Sequence, residues 1–325
     1  MSLYPLKFKT QFKDKIWGGN KIKTVLNKDF SPLPNCGETW EISGVKGNIS
    51  VVESGTLAGK NLVELIHHFK GELVGEKVFQ KFGAEFPLLI KFIDANDDLS
   101  IQVHPNDELA KKRHDSFGKT EMWYIFQADK GAVLNAGFAK EVSKEEYIKH
   151  VNNNTLNDIL NIEQVQEGDV YLMPAGRVHY IGKGILLAEI QQTSDVTYRI
   201  YDFDRVDDKG VKRELHTEMA VDAIDYKVYP NYKSKYTPKD NEAVGLAESA
   251  YFKTNLLQLT DSITRSYTSI DSFVIYICFD GSYTLDFGIG TIQVKKGECI
   301  LLPSIFKSVK LIPSPKCKIL ECWVP

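Results

Sequence analysis

Four side chains in this sequence carry the donor atoms of a divalent-metal site, and a strand pattern fixes the direction in which each points. In "LSIQVHPND" (residues 99–107), Ser100, Gln102 and His104 alternate with Leu99, Ile101 and Val103. Only an extended chain sends those two sets to opposite faces. In "GKTEMWYIF", Lys119, Glu121 and Trp123 repeat the alternation, so one face again carries groups that are costly to bury unpaired. In "PAGRVHYI", Pro174 and Gly176 make a tight turn that delivers His179 to the start of the next strand. Two imidazoles, a carboxylate and an amide oxygen from three separated strands suit a divalent cation with water at an open position. Zn, Fe(II), Mn, Co and Ni all accept that set, and zinc is the choice if the reaction needs no redox step. Taken singly, His104 reads as a strand-end histidine, Lys119 and Glu121 as a surface pair, and His179 as a turn residue; the joint pattern points to a metal.

The elements that must position these groups are mostly strands. Short runs rich in Val, Ile, Tyr, Phe and Leu, such as "PLLIKFIDA", "MWYIFQADKG", "DVYLMPAG", "SFVIYICFDG" and "CILLPS", are separated by Gly, Pro, Asn or Asp. Helical signals are confined. "KNLVELIHHFKG" sets Leu62, Leu65, Ile66 and Phe69 at helical spacing, Ser143 with Glu146 reads as a capping box, and Thr155 with Asp158 starts another short helix. "VQEGDVYLMP" (165–174) matches "VKKGECILLP" (294–303) at an offset of 129, and "WYIFQADKG" from Trp123 resembles "VIYICFDGS" from Val274 at an offset of 151. Two copies of one β unit follow, the first interrupted by helices. The polar "YPNYKSKYTPKDNEA" (229–243) is the natural linker between them. At these offsets Glu121 corresponds to Ser272 and His179 to Ser308, so the second copy is expected to hold no metal.

Composition excludes several partners. Apolar residues make up 43% and charged residues 26% of 325, with a formal charge of −3, too balanced for an electrostatic grip on nucleic acid or an anionic membrane. The densest basic run, "KKRH" (111–114), reads as a solvated helix face. Five scattered cysteines without a CxxC pair fit a reducing compartment. "MSLYPLKFKT" lacks an apolar signal core, and no apolar run reaches bilayer length. The expected location is the cytoplasm.

The pattern from Gly168 to His179, G-x5-P-x-G-x2-H, resembles the second motif of the cupins, and Gln102, His104 and Glu121 resemble a stretched first motif. The resemblance narrows further on "IWGG", "GETWEIS", "PLLIKFIDA", "LSIQVHPND", "GKTEMWY", "PAGRVH" and "EIQQTSDVTYRIYDFDR", which together are similar to the type I mannose-6-phosphate isomerases in their short bacterial form. It departs from the longer members at "GETWEIS" and in a shorter helical region. The resemblance implies a mainly β fold of two cupin-type jelly-roll (double-stranded β-helix) barrels with a few inserted helices. Residues 1–235 would form the catalytic domain, with helical insertions near 61–85, 106–116 and 143–161, and residues 236–325 a degenerate domain without metal. It implies one zinc per chain on Gln102, His104, Glu121 and His179, and interconversion of mannose 6-phosphate with fructose 6-phosphate through a cis-enediol.

Within that reading Arg199 matches the family's catalytic arginine, and Glu189 is the candidate base, on the assumption that residues 189–205 run as one strand in phase. Lys119 is assigned both to the catalytic set and, with Ser100, Arg205 and Lys91, to the substrate's phosphate; Lys91 could equally be a snorkelling lysine. His67, His68, His114, His150 and His216 read as surface or capping residues, and "WGG" and "TWE" as core and turn features. The expected partner is a small sugar phosphate, with no nucleic acid or membrane, and the expected assembly a monomer or weak homodimer. Two other functions take the same residues: a cupin dioxygenase using Fe(II), and a non-catalytic sugar-phosphate-binding cupin.

Overall fold

A computed structural model describes residues 2–207 and 209–325. The fold is mainly β, in three antiparallel sheets. The central sheet runs, in spatial order, Gln11–Lys13, Glu38–Ser43, Leu88–Ala95, Ile185–Gln192, Glu121–Ala128 and Val170–Met173. A second sheet contains Tyr198–Tyr201, Ile101–Val103, His179–Ile181, Val133–Phe138 and Leu160–Gln164. A third, of seven strands, is built from residues 243–323. Among the described residues no sheet closes on itself through its hydrogen bonds.

Every residue of Leu88–Ala95 and Ile185–Gln192 is buried, which is why those runs are apolar almost without interruption: a strand covered on both faces has no water-facing set. On one face Ile90, Phe92, Ala188, Met122 and Phe126 share a core with Ile275, Ile277, Phe279 and Leu320 of the third sheet. The Phe126 ring stacks on Phe279 at 4.9 Å. On the other face Ile93, Ile125 and Leu187 pack against Leu134, Ala136 and Ile181 of the second sheet. That same face carries the buried Lys91, Glu121 and Glu189, so the space between the central and second sheets is where charge collects.

The helices Leu62–Phe69 and Lys144–Asn152 both open on complete capping boxes, Asn61 with Glu64 and Ser143 with Glu146. The run from Lys111 to His114 lies on an exposed face of the Asp107–His114 helix. Thr155 stands at the head of a 3-10 turn over Leu156–Ile159. Two helices, Lys21–Thr24 and Thr217–Ala223, were not read from the sequence. The first depends on Asp94, whose Oδ2 accepts the Lys21 N–H at 2.6 Å, a partner that sequence spacing does not reveal. No helix among the described residues is long and apolar enough to cross a membrane.

The single strand assumed over residues 189–205 breaks. Ile185–Gln192 belongs to the central sheet and Tyr198–Tyr201 to the second, the ladder shifts register between Arg199 and Tyr201, and Phe203 and Asp204 both take left-handed φ of 56° and 57°. Arg199 and Arg205 therefore do not share a face by alternation.

The repeat survives as strand order but with a shifted register. Glu38–Ser43, Leu88–Ala95, Ile185–Gln192, Glu121–Ala128 and Val170–Met173 follow one another as Ala243–Glu248, Lys253–Leu259, Ser308–Trp323, Val274–Asp286 and Cys299–Leu302 do. Trp123 pairs with Tyr171, whereas Ile300 pairs with Tyr276, two residues beyond the Val274 that the sequence match aligned with Trp123. Val274, not Ser272, thus stands at the register of Glu121. Glu189, opposite Trp123, has Glu321 as its counterpart opposite Tyr276. In the third sheet that buried carboxylate takes a two-point bond from Arg265, at 2.9 and 2.7 Å. The 229–243 segment is pinned rather than free: the Tyr232 hydroxyl donates to the Phe138 carbonyl and that of Tyr236 to the Gly168 carbonyl.

Candidate metal centre

His104, Glu121 and His179 converge between the central and second sheets, their ligating atoms all within 4.8 Å of one another. Glu121 comes from the first residue of its strand, His179 from the first residue of another, and His104 from just beyond Ile101–Val103. The turn before His179 needs Gly176, at φ 91°, where an added Cβ would also stand 3.0 Å from the Ala223 carbonyl. Its N–H donates to the His104 carbonyl at 2.9 Å, tying the two ligand-bearing segments together. Arg177 braces the turn from behind, its guanidinium 4.8 and 4.9 Å from the Tyr229 and Tyr232 rings.

The hydrogen bonds fix which imidazole nitrogens are free. Nδ1 of His104 meets the Val196 carbonyl at 2.9 Å, and Nδ1 of His179 the Arg177 carbonyl at 2.8 Å. A carbonyl only accepts, so both Nδ1 atoms carry the proton and both Nε2 atoms present lone pairs. Burial, reinforced at His104 by the charge of Lys119, holds both imidazoles neutral; His104 is pushed well below the usual histidine range and His179 to about 4. The Nε2 atoms lie 3.5 Å (His104) and 3.2 Å (His179) from the two Glu121 oxygens. Among the described residues neither oxygen of Glu121 nor Nε2 of His104 has a hydrogen-bond partner. Three buried lone-pair donors aimed at one another are costly to bury unless a cation joins them, so the residues fit a divalent metal. The Gln102 amide is 3.3 Å from Nε2 of His179, and a half-turn about its terminal bond would bring the oxygen to that point.

A cavity of about 290 Å³ opens beside these ligands. Of the expected site residues, Ser100, Gln102, Lys119, Glu189, Lys91 and Arg199 line it. Arg205 does not: its guanidinium is spent on Asp202, at 2.7 Å, and on the Asp98 carbonyl. Lys119 reaches Glu121 at 3.3 Å, which puts it beside the metal ligands. Lys91 is no snorkelling lysine; only 3% exposed, it stands 3.1 Å from Glu189 and 4.0 Å from Glu38. Burial would lower its pKa, but the two carboxylates raise it, and it stays a cation. At Glu189 burial pulls upward and is outweighed by Lys91, Lys119 and the Trp123 N–H, which donates at 2.9 Å, so this carboxylate is ionised. Glu121 moves the other way, to about 7, through burial and the negative Glu189.

Several lining residues were not read from the sequence: Lys15, Trp17, Glu38, Asp195 and Arg213. "WGG" therefore contributes Trp17 to the cavity as well as to packing, and Glu38, the residue just before "TWE", lines it too. The available signal was Lys91 itself, a charge inside an otherwise apolar strand, which demands a buried anion nearby. Glu38 supplies it and sits at about 2, burial being outweighed by Lys91 and Lys15. Of the other histidines, His114 bonds the Tyr198 hydroxyl, His150 bonds Thr155, and His216 accepts the Arg199 N–H at the head of the last helix.

The chain is similar to known proteins. A family model for the phosphomannose isomerase type I catalytic domain matches residues 5–136. The mannose-6-phosphate isomerase of Streptococcus mutans is 36% identical over 94% of both chains, and mannose-6-phosphate isomerase ManA of Bacillus subtilis 35% identical over 98% of both. The crystal structure of the mannose 6-phosphate isomerase from Bacillus subtilis superposes with a TM-score of 0.87 at 31% identity, covering 98% of this chain and 99% of that one.

Proposed function

The chain belongs to the type I phosphomannose isomerases, and from that premise we propose that it interconverts mannose 6-phosphate and fructose 6-phosphate through a cis-enediol. Gln102, His104, Glu121 and His179 would hold one zinc ion per chain. Bound there, the cation polarises the sugar oxygens on which charge develops, with no change of oxidation state.

The remaining steps fall to the protein's own groups. The C2 proton of an open-chain aldose is a weak acid, so a base must be in its ionised form at neutral pH and the incipient enediolate must meet fixed positive charge. Glu189, kept ionised by Lys91 and Lys119, is the base that takes the proton from C2 and returns it to C1. Arg199 cannot lose its proton and faces the same cavity, so it stabilises the enediolate. Lys119 supplies a second cation at the metal end of the sugar. The sheets bury Glu189 and Lys119, 3% and 5% exposed, which strengthens their charges in the site.

The observation that carries this reading is the unpartnered Nε2 of His104 standing 3.5 Å from the Glu121 carboxylate, beside a cavity lined by Lys15, Lys91, Lys119, Arg199 and Arg213. The cations favour an anionic sugar over the substrate of an iron dioxygenase, and the family favours turnover over binding alone. A coupled assay with mannose 6-phosphate checks it: activity falls on chelation and returns with zinc. Oxygen uptake restored by iron, or phosphosugar binding without turnover, sinks it.

The shared strand order supports two cupin-type jelly-roll units, residues 1–235 and 236–325. Five buried, unpaired cysteines support a reducing, cytoplasmic setting. We take the assembly as a monomer or weak homodimer.

A further inference from the structure

We infer that Arg213, oriented by Asp202, recognises the phosphate of the substrate; this rests on the isomerase reading above. The cations nearest the metal ligands are already committed, Lys119 to Glu121 and Lys91 to Glu38 and Glu189. A phosphate carrying close to two negative charges needs positive charge that no carboxylate has neutralised. Arg199 and Arg213 line the cavity together, and the charge of Arg213 weighs directly on Arg199.

Asp202 holds Arg213 by one edge of its fork. Nε donates to Oδ2 at 2.7 Å and Nη2 to Oδ1 at 2.5 Å. The same carboxylate, buried at 5% exposure, also takes Arg205. Arg205 also pairs with Asp97 at 3.5 Å, so the three guanidiniums of Arg199, Arg205 and Arg213 stand against two carboxylates and the cluster stays cationic. With Nε and Nη2 engaged, the planar group has a fixed orientation, and its Nη1 has no hydrogen-bond partner among the described residues. Such a preset fork suits a phosphate better than a mobile ammonium does.

The backbone invests in this placement. Phe203 and Asp204 are both left-handed, a conformation costly for a bulky residue, and strain of this kind collects at functional sites. The turn they make is closed by Asp204, which pairs with Lys212 at 2.7 Å and accepts the Tyr201 hydroxyl. Val206 bridges to Lys212. The hairpin thus sends Arg205 away toward the Asp98 carbonyl and brings Arg213 back to the cavity. The sequence set Arg205 beside Lys119 and Ser100 as a helper at the phosphate; the fold puts Arg213, not Arg205, on the cavity wall.

The test compares wild type with Arg213→Ala, Arg213→Lys, Asp202→Asn and the Asp202→Asn/Arg213→Ala double variant. It reads KM and kcat for mannose 6-phosphate and inhibition by inorganic phosphate. Charge-assisted bonds of this type predict a KM about 10- to 100-fold higher for Arg213→Ala, with kcat within about threefold and a parallel loss of phosphate inhibition. Arg213→Lys should fall between, because it keeps charge and loses the fork. Asp202→Asn should also raise KM, and the double variant should be no worse than Arg213→Ala, since a positioning residue has nothing left to position. Unchanged KM and unchanged phosphate inhibition in a folded Arg213→Ala protein overturn the inference, as does a double variant whose losses simply add. If wild type fails to turn over mannose 6-phosphate, the isomerase reading falls instead; calorimetric binding of inorganic phosphate then still decides whether Arg213 holds the anion.

Discussion

His104 and Arg199 divide the site into two kinds of work, and mutation should separate them. His104 offers its Nε2 to the metal position, so His104→Ala should lose metal and activity together, read by metal analysis beside the assay. Arg199→Ala should retain metal and lose chiefly kcat; a change confined to KM would make the arginine a binding residue. Glu38 is linked to pH through Lys91. Its folded pKa, about 2, lies below the ordinary glutamate value of about 4.3. The depressed value means that its ionised form stabilises the fold above the unfolded pKa and loses that contribution as pH falls from about 4.3 toward 2. The Tm difference between wild type and Glu38→Gln should therefore be flat from neutral pH to about 5 and shrink below it. A gap unchanged down to pH 3 contradicts the pairing. The convergence of His104, Glu121 and His179 was legible because alternation fixes the face of a side chain. Glu38, Asp195 and Arg213 were not, since alternation in one strand does not say which other segment closes the cavity over it.

Among elements, the Ser143 capping box was readable because both halves lie within one turn: Ser143 and Glu146 satisfy each other's N–H groups without outside help. The Glu76–Phe82 helix differs. Its first N–H groups, from Glu76 and Lys77, donate to Oδ1 and Oδ2 of Asp271 at 2.9 and 3.0 Å, a cap contributed by the third sheet. Gly75 makes the approach possible: its φ is 93°, and an added Cβ would stand 2.3 Å from the Asp271 carbonyl oxygen. Asp271→Ala removes two bonds from a helix terminus and should cost about 1 kcal/mol, within the usual 0.5–2 kcal/mol for a lost cap. Chemical denaturation reads this as a lower midpoint at unchanged slope. A change below about 0.3 kcal/mol would mean that water replaces the carboxylate without loss. The same long-range dependence explains the break after Gln192: a continuous strand pattern looks identical whether the chain stays in one sheet or crosses to the next.

At the scale of the whole chain, the strand order repeats, but the N-terminal and C-terminal sheets pack as one body. Leu6 and Leu301 exchange both backbone bonds, at 2.8 and 2.9 Å, and Lys7 pairs with Glu298 at 2.7 Å. Leu3, Leu6 and Phe8 enter a core that also holds Met122, Tyr124, Phe252, Ile275 and Leu320. The nearly unbroken apolar runs belong to strands covered on both faces. Which segment covers the second face was illegible, because any apolar sheet would satisfy the pattern. Removing residues 236–325 would bare the face carrying Tyr124 and Phe126, whose rings meet Phe279 at 4.7 and 4.9 Å. Burying one such side chain is worth roughly 1.5–3 kcal/mol, and a domain's entire margin is about 5–15 kcal/mol, so losing several together exhausts it. The full chain should accordingly unfold in a single calorimetric transition whose van't Hoff and calorimetric enthalpies agree. Residues 1–235 expressed alone should retain β-type far-UV dichroism, lose near-UV dichroism and bind a hydrophobic dye. Two resolved transitions in the full chain, or a truncated chain with a sharp unfolding transition and no dye binding, would mean that the third sheet is an appendage, and that the metal centre is held by the first two sheets without it.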